Sequence, residues 1–180
     1  MEARFASRRG PEARCGQHGS GQPDERERVV AAPMTDQVNR PSGMPSPVVA
    51  PVNEGMWRAA AAHQLAVQHC QDCGAHRYPP GDGCYRCSSL RWDWATLPGS
   101  GVIYSYIWVP DRVRAAAGSE AAYYNVAVVT LDGTEGEPVR MLSNVIDAWQ
   151  LDDLHVGQRV EVVGVPFADG LALPCFRMVP

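Results

Sequence analysis

The chain has 180 residues, 16 basic and 20 acidic side chains and a formal net charge of −4, which suits one domain, or two small ones, with tails. Every basic residue is Arg, and residues 46–180 hold nine of them against fourteen acids, so the part expected to fold is net acidic and poorly suited to nucleic-acid phosphates. With no run of 18 apolar residues and no apolar h-region near the N-terminus, neither a membrane span nor a secretory signal is expected, and the six Cys read as metal ligands or spare thiols in a cytoplasmic protein.

Residues 1–50 lack a hydrophobic period and are rich in Arg, Gly, Pro, Ser and Glu, a composition that cannot offset chain entropy by burial. They are expected to be a disordered tail. Met34 opens the run MTDQVNRP, so residues 1–33 are read either as an over-extended start or as a genuine flexible tail; Cys15 in that stretch carries no argument. Within a segment set at residues 51–68, NEGMWRAAAAHQLA (53–66) predicts a helix with Asn53 as N-cap. Met56, Trp57, Ala60, Ala61 and Leu65 form its apolar stripe, which suits packing either on its own domain or on a partner.

The next segment, residues 69–95, carries the chemistry. Cys70-Gln-Asp-Cys73 and Cys84-Tyr-Arg-Cys87 make two C-x2-C turns separated by ten residues. Each turn can point two sulfurs at one centre, and together they make a tetrahedral four-sulfur cage suited to zinc. An iron centre of rubredoxin type uses the same ligands, and spacing alone leaves that alternative open. Gly74 follows the second Cys, where a knuckle backbone turns tightly. A cage closed by four thiolates leaves no coordination position for water or substrate, so the site reads as structural. His63, His69 and His76 crowd the knuckles but are surplus to a complete cage. Trp92 and Trp94 alternate about Asp93 and share one face of an extended segment, placed to pack the ribbon onto the downstream strands.

From residue 96 onward the pattern is that of strands. Gly101–Val109, Tyr123–Leu131, Val139–Ile146, Gln158–Val165 and Leu171–Met178 are β-rich runs, with Asp132-Gly133 and Asp169-Gly170 as turn signals. Five short strands in about eighty residues suit a small closed barrel, most simply an OB-fold. Residues 111–122 (DRVRAAAGSEAA) read as a mobile loop, in which Arg112 and Arg114 could meet a phosphate or a partner's carboxylate. Cys175 reads as a small core residue. Neither a nucleophile elbow nor a Gly-rich phosphate loop is present.

Taken in order, Trp57, Cys70-Gln-Asp-Cys73-Gly74, Tyr78-Pro79-Pro80, Cys84-Tyr-Arg-Cys87 and Gly101-Val-Ile-Tyr104-Ser105 resemble the acyl-CoA-associated OB-fold family with a rubredoxin-like zinc ribbon, once catalogued as domain of unknown function thirty-five. Leu142-Ser143-Asn144-Val145, Asp152-Asp153-Leu154 with Val156-Gly157, and Leu173-Pro174 with Phe176-Arg177 extend the likeness over roughly residues 53–180. The resemblance implies a mainly β chain: N-terminal helix, zinc ribbon, then a five-stranded OB barrel. It also implies a non-catalytic subunit whose partner is a thiolase-fold enzyme or a hot-dog hydratase, in acyl-CoA metabolism that includes steroid side-chain breakdown. The subunit would shape or cover the channel for the CoA arm while the partner holds the catalytic residues. On this expectation Met56, Trp57 and Leu65 are candidates for the partner interface, and Arg112, Arg114, Tyr123 and Tyr124 for a loop that meets CoA or the partner. Ala-rich residues 111–122 depart from the family's pattern there. A single-stranded nucleic-acid module is the competing reading, since zinc ribbons and OB barrels both occur in such proteins.

Overall fold

The computed structural model describes residues 38–41, 43–118 and 123–180. The expectations placed on residues 1–37, Cys15 and Met34 among them, lie outside the described residues, as do positions 119–122 of the expected loop.

Helix α1 spans Glu54–Ala61 and is shorter than the sequence predicts. It stops because His63 turns into the left-handed region, at φ 55°. The His63 N–H then bonds to the Ala60 carbonyl (2.9 Å) and the Gln64 N–H to the Ala59 carbonyl (2.9 Å), the crossed pair of a Schellman ending. Glycine usually fills that position; here the His63 ring offsets the backbone cost by accepting a hydrogen bond at Nδ1 from the Gly164 N–H, 3.0 Å away. Asn53 occupies the N-cap position without capping the helix. Its Oδ1 instead accepts from the Ala50 N–H (2.8 Å) and from Trp57 Nε1 (3.2 Å), folding the entering chain against the first turn.

Leu65 therefore belongs to a strand and not to the helical stripe. Strand β1 (Leu65–Cys70) lies between β2 (His76–Arg77) and β3 (Trp92–Leu97) in an antiparallel three-stranded sheet. The second sheet contains β4 (Ser100–Pro110), β5 (Tyr123–Leu131), β6 (Arg140–Ser143), β7 (Arg159–Ala168) and β8 (Leu171–Met178), in the order β6-β5-β4-β7-β8. The five predicted strands all form, two of them with the bounds read from sequence; the third is the shortest. It ends at Ser143, after which the chain curls onto β8: the Phe176 N–H bonds to Asn144 O (2.9 Å) and the Ile146 N–H to Phe176 O (2.8 Å). A parallel bridge between Val145 and Phe176 nearly closes the sheet into the five-stranded barrel of an OB-fold.

One core fills this barrel and continues into the ribbon. Met56, Leu65, Val67 and Leu97 join Ile103, Val129, Met141, Val160 and Phe176 in one buried cluster. The barrel-side half of the three-stranded sheet shares the barrel's interior. Gly164 on β7 makes the junction close: a Cβ there would run into the carbonyl of Ala60, so α1 rests directly on the strand. Asn125 is fully buried yet satisfied, donating to Val145 O (2.7 Å) and accepting from the Val145 N–H (2.8 Å). It thereby holds the irregular chain after β6.

Parts of two stretches read as unstructured make ordered contacts where they are described. Asn39, within the expected tail, is fully buried: its N–H bonds to Ile146 O (2.7 Å) and its side-chain amide donates to Ala148 O (2.5 Å). After β4, the expected mobile loop contains a short helix, α2 (Arg112–Ala116), capped by Asp111, whose carboxylate accepts from the Val113 and Arg114 N–H groups (both 3.1 Å). An acidic N-cap before an Ala-rich run is a helix start that the sequence reading passed over.

Candidate metal centre

The four cysteines meet at the end of the ribbon farthest from the barrel core. The two knuckles repeat one backbone pattern. In the first, the Cys70 N–H bonds to Ala75 O and the Gly74 N–H to Cys70 O, both at 2.9 Å. In the second, the Cys84 N–H bonds to Ser89 O and the Ser88 N–H to Cys84 O, both at 2.8 Å. The residue after each second cysteine takes a left-handed conformation: Gly74 at φ 70°, as its glycine suggests, and Ser88 at φ 60° without one.

All four sulfurs lie within 4.8 Å of one another. Cys70 and Cys87 Sγ are 3.6 Å apart, and Cys73 and Cys84 Sγ 3.7 Å, too far for disulfides. A tetrahedron with zinc–sulfur bonds of roughly 2.3 Å has edges of about 3.8 Å, so the donor set fits zinc. Electrostatics agree. The Cys73 backbone N–H, against burial, draws Cys70 down to about 7. Backbone N–H groups of Arg86 and Cys87 lower Cys84 as well. Cys87 accepts from the Ser89 backbone, but the crowding thiol of Cys73, burial and the other two thiols push it up to about 12. Four thiolates cannot share this space at neutral pH without a cation, and a divalent ion supplies the missing charge. Once it is bound, the four-sulfur shell is complete and holds the ribbon together.

None of the three neighbouring histidines enters the cluster. His63 ends α1, and His69 Nδ1 pairs with Asp93 Oδ1 at 3.0 Å. His76 stacks obliquely on His69, with ring centroids 5.2 Å apart, and burial lowers its pKa. Outside the cage, Asp72 binds Arg91 and the Ser89 hydroxyl, linking the first knuckle to the chain leaving the second. Trp92 and Trp94 meet edge to face at 5.7 Å, and Trp94 packs on the shared core, as the sequence suggests.

The residues expected to face a partner are differently placed. Met56 and Leu65 are 4 % and 0 % exposed, so their side chains serve the fold and offer no surface. Trp57 is half-buried, edge-on to Phe167 at 5.6 Å. Arg112 is exposed on the first turn of α2. Arg114 is fully engaged and not a solvated loop residue: it donates to Asn39 Oδ1 (3.0 Å), Val38 O (3.2 Å) and Arg40 O (3.1 Å), beneath the Trp149 ring. It therefore clamps the incoming chain to α2 and is not free for a phosphate. Tyr123 and Tyr124 begin β5 opposite Pro110 and Val109, the first exposed and the second half-buried. The sequence reading missed Asn39, Asn125 and the clamp of Arg114 because their partners lie between 20 and 109 residues away along the chain.

Comparison with known proteins agrees with this architecture. Residues 57–93 match the family described as the rubredoxin-like zinc ribbon domain of ChsH2, and residues 94–165 match the C-terminal OB-fold domain of ChsH2. A solved structure titled "Ltp2-ChsH2(DUF35) aldolase" contains a chain that aligns with a TM-score of 0.59 at 29% identity, over 74% of this chain and 98% of that one. A probable enoyl-CoA hydratase alpha subunit of Thermomonospora curvata is 32% identical over 133 residues, which are 74% of this chain; the chain spans only 39% of that relative's length. The ribbon and barrel matches together run without a gap from residue 57 to residue 165, and the chain belongs to the ChsH2 (DUF35) family of rubredoxin-like zinc ribbons joined to an OB-fold.

Proposed function

We propose that the chain is a non-catalytic, zinc-stabilised accessory subunit of an acyl-CoA enzyme complex. Its partner in this reading has a thiolase fold, as a thiolase or retro-aldolase, or is a hot-dog hydratase, and the ribbon–barrel subunit shapes the channel for the CoA arm. The observation that carries the reading is the alignment with 98% of a chain from a structure titled as a two-component aldolase. The closed four-sulfur shell supports it, because a metal held that way has no position for substrate. The hydratase relative is a polypeptide more than twice as long as the matched part, so the activity in its name belongs to a larger protein than this segment. Degradation of steroid or other lipid side chains in the cytoplasm is the proposed setting. Trp57, Arg112, Tyr123 and Tyr124, each with surface left over by the fold, are the proposed contacts.

The test is affinity purification of the full chain from its native host, followed by assay. A stoichiometric acyl-CoA enzyme in the eluate, with no acyl-CoA turnover by the isolated chain, is the expected result. Turnover by the chain alone would make it an enzyme. Co-purification of single-stranded nucleic acid in place of an enzyme would move it to the binding-module class.

A further inference from the structure

The barrel sheet meets solvent with two kinds of chemistry. On β7 and β8 the exposed charges pair: Arg177 Nε lies 2.5 Å from Glu161 Oε1, and Arg159 binds Asp132. The outer face of β4, β5 and β6 is apolar instead. Asn125, Ala127, Val129 and Leu131 point into the core, so strand alternation sends Tyr124, Val126, Val128 and Thr130 outwards. Register extends this row to both sides, with Ile107 opposite Val126 and Leu142 opposite Val128. A register shift between Ile103 and Ser105 takes Tyr104 out of the ladder. Its ring meets Arg140, which stands opposite Thr130, so Tyr104 joins the same face. Ile107, Leu142 and Tyr104 are 61 %, 59 % and 53 % exposed.

Three large side chains at that exposure leave roughly 300 Å² of mostly apolar surface before the half-buried valines are added, and patches of about 300–600 Å² are the largest on ordinary monomers and often functional. Charge narrows what can cover this face. The three strands contain a single charged residue, Arg140, on the edge strand β6. Its guanidinium carbon lies 3.8 Å from the centre of the Tyr104 ring, and it has no carboxylate partner among the described residues. A two-fold pairing of copies sets the same patch against itself, and a face without acids then leaves both Arg140 side chains uncompensated. A single nucleic-acid strand needs a track of cations and free aromatic faces, whereas here one Arg lies over one exposed Tyr. The complementary surface is a protein patch that is apolar at its centre and carries a carboxylate toward one edge.

We propose that the outer face of β4, β5 and β6 docks the partner enzyme, through an apolar patch of that enzyme whose Asp or Glu pairs with Arg140. The inference rests on the accessory-subunit reading and names the surface that reading uses; Tyr124, opposite Val109, ties it to the contacts already proposed. The experiment titrates the zinc-loaded full chain, by calorimetry, with the acyl-CoA enzyme that co-purifies with it from the native host. Ile107→Thr combined with Leu142→Thr keeps β-forming residues on the strands and should weaken binding about tenfold or more. Arg140→Gln should weaken it about threefold and flatten its dependence on salt. Arg177→Gln, on the charged side of the sheet, should leave affinity unchanged. Zinc content and barrel amide exchange check that each variant is folded; all four positions are exposed. Unchanged affinity in both the double variant and Arg140→Gln would overturn the docking face and leave the accessory-subunit reading standing. Failure of the parent chain to capture any acyl-CoA enzyme would bring down both. Self-association of the isolated chain, or binding of a single-stranded oligonucleotide, that the double variant abolishes would overturn the proposal in favour of a second copy or a nucleic acid.

Discussion

The two ends of this molecule are held together by different means. Among the described residues, the barrel and the adjoining half of the ribbon share a core of fifteen buried side chains, Phe176, Ile103 and Met141 among the largest. The knuckle end has a cluster of only Cys70, Ala75 and Cys84, with Cys73 beside it, while Tyr85 and Leu90 are 65 % and 74 % exposed. So little apolar burial cannot order two turns of chain, and coordination takes its place. The lesson is that folding energy in one compact unit can come from two sources a few residues apart, and that they should fail separately.

The largest separation comes from removing a ligand. Cys73→Ser should abolish stoichiometric zinc binding and unfold the knuckle end, since structural zinc contributes about 10–16 kcal/mol in small zinc peptides. Amide exchange should rise across residues 70–91 while β5, β7 and β8 stay protected; elemental analysis of the same sample gives the zinc content. Uniform loss of protection in the barrel would show that the two ends are one cooperative unit. The reverse experiment is Phe176→Ala, which removes the largest fully buried side chain and should cost about 3–5 kcal/mol in denaturant unfolding. One zinc per chain should remain in the folded protein.

The smallest effect sharpens the comparison by pH. Arg159, 2.6 Å from Asp132, and then the Ser100 hydroxyl hold the Asp132 carboxyl below its ordinary value of 3.8. A depressed carboxyl stabilises the fold above its unfolded value, and that contribution disappears as pH falls through the lower folded value. Both partners are partly exposed, so Asp132→Asn should cost at most about 1 kcal/mol at pH 7. The gap between variant and parent, read from barrel amides, should close below pH 3.8. Zinc loss from the knuckles on acidification runs through a different chemistry, protonation of thiolates, and should be the same in both proteins. A gap that persists at low pH would mean that Asp132 acts through packing and not through its charge.

Legibility along the chain followed the range of the forces involved. The cage could be read because each C-x2-C turn is a local device, and two of them at a suitable spacing meet almost regardless of surroundings. The barrel strands could be read because alternation and turn residues are local too. Residues 64–70 were misread at their start: a run of alanines with high helix propensity continues into Leu65, and only the left-handed turn at His63, tied to Gly164 about a hundred residues later, ends the helix there. Composition alone made residues 38–41 and 111–118 look unstructured. Asn39, Asp111 and Arg114 order them through contacts that no local pattern displays.

By itself, then, the sequence determined the four-cysteine cage, the succession of barrel strands along the chain and the family, all of which rest on residue types at short fixed spacings. Tertiary structure alone decided that Met56 and Leu65 are core rather than surface, that Arg114 is a clamp, and that Arg77 is buried with its Nε and Nη2 unpartnered among the described residues. Burial and hydrogen-bond satisfaction depend on what the rest of the chain brings alongside, and only the folded molecule specifies that.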